Sequence, residues 1–162
     1  MKTELQAHIN DCSQQMEDIQ SIISTLQPFD KMRSYLTQYA LIKTCGTLEF
    51  VFKSIIADFI DQSSLIQIHT YIEKTVRNSH VSATYDNMSG LLGKFDSNWQ
   101  KSFKTSIKNR SDGQRLIASA NSLVTNRHLF AHGQSPTATF NDIYQYYRDT
   151  LILVNELDLI VR

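Results

Sequence analysis

The chain has 162 residues, sixteen basic and sixteen acidic side chains, and 41 % hydrophobic residues. That length suits one domain with a core of its own, in no need of disulfide or metal staples. Balanced charge excludes a global pull toward nucleic acid or membrane. No apolar run reaches bilayer-crossing length and no basic-then-apolar leader opens the chain, so a cytoplasmic protein without membrane contact is expected.

Five glycines and two prolines are the only strong breakers, and between them apolar residues recur every three or four positions. That spacing predicts helix throughout, with no strand and no internal repeat. The first helix spans about 3–27 (Leu5, Ile9, Met16, Ile19, Ile23, Leu26) and stops at Pro28. The second spans about 30–61 through Met32, Leu36, Tyr39, Val51, Phe52, Ile55 and Phe59. Gly46 lies inside it, which costs stability and so points to close packing or a bend. A third, about 64–78, carries Leu65, Ile68, Ile72 and Val76. Residues 79–98 mix Ser and Asn with Gly90 and Gly93, predicting one short helix between loops. From about 98 to 108 a basic helix sets Lys101, Lys104 and Lys108 on one face and Trp99, Phe103 and Ile107 on another. Ser111-Asp112-Gly113 opens a helix that runs to His132, and Thr139 with Asp142 resembles a capping box for the last helix. The predicted fold is all-α, an up-and-down helical bundle with additional short helices, forming one domain over 1–162.

Charge is unevenly spread. Residues 94–127 hold Lys94, Lys101, Lys104, Lys108, Arg110, Arg115 and Arg127 against Asp96 and Asp112, whereas residues 1–30 are acidic. Such a layout suits a polyanion touching one region, or simply a solvated helix face. Cys12 and Cys45 are isolated, as thiols of a reducing compartment are. Gly90-Leu91-Leu92-Gly93-Lys94 lacks the spacing, the following Ser or Thr and the preceding strand of a phosphate loop. His128 and His132 share a helix face, yet no third ligand lies near, so no metal and no cofactor are expected.

The chemistry concentrates in Asn126-Arg127-His128-Leu129-Phe130-Ala131-His132-Gly133. A permanent guanidinium precedes a titratable imidazole by five residues, and a glycine closes the helix. Phosphodiester cleavage needs proton transfer and relief of anionic charge, which this pair supplies. On spacing alone a surface arginine and a histidine favoured by the helix dipole explain the segment better. Leu129, Phe130 and Ala131, however, pack the turn against an apolar neighbour. Arg127 and His132 lie ~140° apart around an ideal helix. A two-fold partner would therefore build a composite groove holding two of each.

These residues resemble the signature of the HEPN superfamily, an arginine followed after four to six residues by a histidine near a helix end in an all-helical domain. His128 matches the subform with Asn or His directly after the arginine. Gly46-Thr47-Leu48-Glu49-Phe50 and the stretch from Asn87 through Phe95 to Trp99 look like the RiboL-PSP branch, so the likeness runs from about residue 35 to the end. The resemblance implies a metal-independent endoribonuclease, commonly a homodimer, acting in prokaryotic antiviral defence or as the toxin of a toxin–antitoxin pair. Arg127 and His132 would be the catalytic pair, His128 and Asn126 accessory, and Glu49 an orienting carboxylate on a neighbouring helix. RNA is then the expected partner, held by Lys101, Lys104 and Lys108, with Trp99 either stacking on a base or, the weightier reading, serving the core. A cognate antitoxin or defence partner is expected too. Where HEPN toxins paired with a nucleotidyltransferase carry a tyrosine two residues after the histidine, this chain has Gln134, so that pairing is not implied. The competing class is a non-catalytic helical module that binds RNA, a nucleotide or a partner protein.

Overall fold

The structure, a computed structural model, describes residues 1–62 and 65–161. It is all-α: α1 Thr3–Thr25, α2 Lys31–Asp61, α3 Ile66–Ile72, α4 Tyr85–Phe95, α5 Ser97–Asn109, α6 Gly113–Ala131 and α7 Phe140–Ile160. A π-helical turn, Glu73–Arg77, continues α3 without a break.

Polar contacts between the long helices give their directions. Lys43 donates to Asp11 and Tyr39 to Gln15, at 2.8 and 2.6 Å, so α2 runs antiparallel to α1. Tyr147 donates to the Ile9 carbonyl at 3.2 Å and the N-terminal ammonium reaches Asp158 at 2.8 Å, so α7 also opposes α1. Buried Asp149 accepts from Ser119 and Arg115, which sets α6 against α7. In chain order the four long helices go up, down, up and down, with α3 to α5 inserted before the third. Around this frame one cluster of buried side chains includes Met16, Leu41, Phe52, Leu92, Phe103, Leu116 and Leu157. α5 packs by Phe103 and Ile107, with Trp99 edge-on to Phe59 at 5.1 Å, leaving its three lysines exposed.

Local signals act as expected at several ends. Thr139 and Asp142 form a reciprocal capping box at the start of α7. The Thr139 hydroxyl, with its backbone N–H, holds the Asp142 carboxyl below the usual range. A depressed native value contributes stability above the unfolded carboxyl's pKa that is lost as pH falls through the native one. Thr139→Ala should thus lower stability by about 1 kcal/mol at neutral pH, measured by urea unfolding. The deficit should shrink below about pH 4. At the start of α6 a Cβ on Gly113 would lie 2.1 Å from the Ile107 carbonyl oxygen, so the α5–α6 turn needs glycine. Asp112 occupies the cap position but spends its carboxylate on Arg110 and Arg115.

Three expectations change. The third helix was to bury Leu65, Ile68, Ile72 and Val76; only Ile72 and Val76 are buried, because the first turn overhangs the bundle. Residues 63 and 64 of that predicted helix lie outside the described residues. Within α2, Met32 and Tyr39 are exposed rather than buried, and a Cβ at Gly46 would meet nothing within 4 Å, so no close packing explains this glycine within the chain.

Candidate active site

α6 ends in a tightly closed turn. His132 is its C-cap, and Gly133 takes the left-handed conformation at φ 72°. The Gly133 and Gln134 N–H groups donate back to the Phe130 and Leu129 carbonyls at 3.0 and 2.9 Å. This double closure satisfies the last carbonyls and holds the backbone beside His132 in one conformation. Any residue with a Cβ is strained there, so Gly133→Ala should cost about 1 kcal/mol in chemical unfolding. Asn126 braces the same turn from behind. Its buried amide oxygen accepts from Thr137 N–H, Ala138 N–H and the Thr137 hydroxyl, and its amide nitrogen donates to the Ser122 carbonyl. With its amide so engaged, Asn126 positions the loop after His132 rather than facing solvent. His128 and His132 are both exposed.

Arg127 is half-buried and turned toward α2, where its guanidinium lies 4.0 Å from Glu49 Oε1. The Glu49 side chain is largely buried, which strengthens attraction at a separation too long for a hydrogen bond. One helical turn further along α2, buried Lys53 donates to the Ser79 carbonyl at 2.5 Å. Burial pulls this ammonium below the usual lysine range; Glu49 acts the opposite way and Arg127 with burial. The Glu49 carboxylate therefore sits in the field of two cations. Lys53 was missed in the sequence, although a lysine interrupting the buried run Val51-Phe52-Lys53-Ser54-Ile55-Ile56 was a readable signal.

The structure thus brings Glu49 to Arg127 and leaves His132 open to solvent at the end of the same helix. It does not bring Lys101, Lys104 and Lys108 to that end. Trp99 packs on Phe59 near the end of α2, and Ser106 and Arg110 reach Glu156 near the end of α7. Lys108 precedes the start of α6, about 28 Å along that helix from His132. Beside the His132 loop, a cavity of about 370 Å³ opens between Arg33, Thr37 and Gln38 of α2 and Ser135, Pro136 and Thr139.

Neither cysteine is a nucleophile candidate. The Cys45 thiol donates to the Leu123 carbonyl at 3.8 Å, and burial pushes it up to about 12. Burial raises Cys12 as well. Among the described residues no three His, Cys, Asp or Glu side chains gather as a metal site would need, and no helix is long and apolar enough to cross a membrane.

An all-α bundle in which a tethered arginine precedes an exposed, helix-ending histidine by five residues has the form expected of a HEPN domain. A model of the RiboL-PSP-HEPN family matches residues 8–162, and the chain belongs to that family. No curated protein and no solved structure matches it.

Proposed function

We propose that the chain is a metal-independent endoribonuclease that cuts single-stranded RNA, with Arg127 and His132 as its catalytic pair. The observation that carries the reading is the α6–α2 tether. Glu49 attracts Arg127 toward α2 across 4.0 Å without sealing it from solvent, while a closed turn presents His132 a few residues on. In the reaction the RNA 2′-hydroxyl attacks the adjacent phosphorus and the bond to the 5′-oxygen breaks, leaving a 2′,3′-cyclic phosphate and a 5′-hydroxyl. His132 takes the proton of the nucleophile or delivers one to the leaving oxygen. Arg127 stabilises the charge that grows on the non-bridging oxygens. Lys53 balances the Glu49 carboxylate, leaving the guanidinium its net positive field. Because the two catalytic side chains leave α6 in different directions, the working unit is a homodimer whose groove combines both copies of each. The exposed α5 lysines then meet RNA only where it runs beyond the cut site. In the cell such an activity needs restraint, so the chain acts as a toxin or defence effector beside a cognate antitoxin or defence-system partner. Purified protein should degrade single-stranded RNA in EDTA; cleavage that appears only with an added divalent ion overturns the chemistry.

A second reading, a non-catalytic module that binds RNA, a nucleotide or a partner protein, draws on the same angular separation of Arg127 and His132 within one chain. Growth of bacteria expressing the wild type or His132→Ala separates the two. Toxicity lost with the histidine supports the enzyme, and equal effects of both forms support the binder.

A further inference from the structure

The cavity beside the His132 loop has the form of a site for a flat ring with a polar edge. At about 370 Å³ it lies at the small end of ligand pockets, with room for one nucleobase and its ribose but not for a peptide helix. Buried Ile23 and Phe140 give it apolar walls, and half-buried Pro136 adds a third. These walls are held in place before anything binds. Asn126 fixes the backbone of Thr137 and Ala138 on one side, and Arg33 joins the end of α1 to α2 on the other. Ser135 and Pro136 follow His132 by three and four residues, and four residues of chain span at most about 14 Å. A base lodged here is within reach of a strand whose phosphate sits at His132.

Arg33, which lines the cavity, selects the ring. Its Nη1 donates to the Ile23 and Leu26 carbonyls at 3.0 and 2.9 Å, which leaves the N–H groups of Nε and Nη2. Among the described residues those groups have no acceptor, and no carboxylate pairs with this guanidinium. A guanidinium only donates, so it selects a ring edge that carries acceptors side by side. Guanine presents O6 and N7 together and is the usual bidentate partner of arginine, whereas adenine sets an amino group beside N7. A bare phosphate fits less well, because its charge would lie against three apolar walls with one cation to meet it. Gln38, also in the lining, donates Nε2 to Ser34 Oγ at 3.4 Å, and its amide oxygen is left to accept from guanine N1–H. We propose that the cavity is a guanine-binding subsite, filled by a base of the RNA strand being cut, and that it sets where along the strand cleavage falls.

The RNA strand as the source of the guanine rests on the ribonuclease reading; the choice of ring does not. Arg127 and His132 act on the phosphate and the ribose hydroxyl, groups that every nucleotide shares, so neither can tell one base from another. The cavity supplies that discrimination from residues outside the catalytic pair.

The test is fluorescence anisotropy with labelled 2′-O-methyl pentauridylates, which have no free 2′-hydroxyl to attack with and carry guanine, inosine, 7-deazaguanine or adenine at the centre. Guanine and inosine strands should bind alike, the 7-deaza strand more weakly, and the adenine strand on the order of 10- to 100-fold more weakly. Arg33→Lys keeps the charge and loses the fork, and should level the four. Because Arg33 also holds α1, Ser34→Trp provides an independent check: it fills the cavity from an exposed position, and should level them too with helix content unchanged by circular dichroism. Free 5′-GMP should compete only far above the concentration of the guanine strand. Equal binding of all four strands by the wild type, or a guanine preference that survives Ser34→Trp, overturns the subsite, and GMP competing as well as the strand overturns RNA as the source. Cleavage of the all-ribose strands in EDTA keeps the two readings apart. Guanine-dependent binding without cleavage removes the ribonuclease and leaves the subsite; cleavage indifferent to guanine does the reverse.

Discussion

Replacing His132 by alanine should lower RNA cleavage by roughly 10²- to 10⁴-fold, the usual worth of a positioned proton-transfer group. The side chain is exposed at a helix C-cap whose closure is made entirely by backbone groups, so its removal should leave the thermal midpoint nearly unchanged. Arg127→Ala should cost about 10²- to 10³-fold through loss of transition-state charge stabilisation. This substitution also leaves Glu49 facing Lys53 alone, so a modest change in stability accompanies it. Glu49→Gln should fall between Arg127→Ala and the wild type, because the guanidinium keeps its charge and loses only its tether. Steady-state cleavage of a labelled single-stranded RNA, with melting curves on the same samples, checks all three. If Arg127→Ala and His132→Ala cut as fast as the wild type, these residues are not the catalytic pair.

The largest stability effect lies away from this site. Asp149 is 2 % exposed and accepts from the Ser119 hydroxyl, from Arg115 and from Gln145, joining α6 to α7. Asp149→Ala should destabilise the protein by about 2–3 kcal/mol. Ser119 is then left buried without its acceptor, whereas half-exposed Arg115 turns to water and softens the loss. In a chain of this size that corresponds to a fall of about 5–10 °C in Tm. Asp149→Asn keeps an acceptor for Ser119 and should recover much of it. Because α6 carries Arg127 and His132, cleavage by Asp149→Ala should fail first on warming while remaining near normal in the cold.

Much of this architecture could be read before any coordinates. The helices followed from apolar spacing, Pro28 ended the first, and the Thr139–Asp142 pair and Gly133 marked the two ends facing each other across the α6–α7 loop. These are local effects, set within four or five residues. The Arg127–His132 segment was legible for the same reason, and Glu49 entered through the family resemblance; its approach to Arg127 across two helices then emerged from the fold. What could not be read depends on which of two apolar faces the core selects. α2 is apolar on more than one side, and periodicity does not say that Leu41 and Phe52 go inward while Met32 and Tyr39 face out. For that reason the close packing expected at Gly46 is not found within the chain. The α5 lysines form the exposed face their spacing foretold, yet only tertiary packing sets that face a helix length from His132. Asn126 sits next to Arg127 in sequence and points the other way, into the loop it braces.

The central claim is that the RNA itself supplies the nucleophile. A single-stranded RNA with one 2′-deoxynucleotide on the 5′ side of the cut bond tests it most directly, against the all-ribose strand in EDTA. The account predicts that the modified bond stays intact while other bonds are cut to 2′,3′-cyclic phosphate ends. Cleavage at the deoxy position, with a linear phosphate left behind, would mean that water attacks instead and would contradict it.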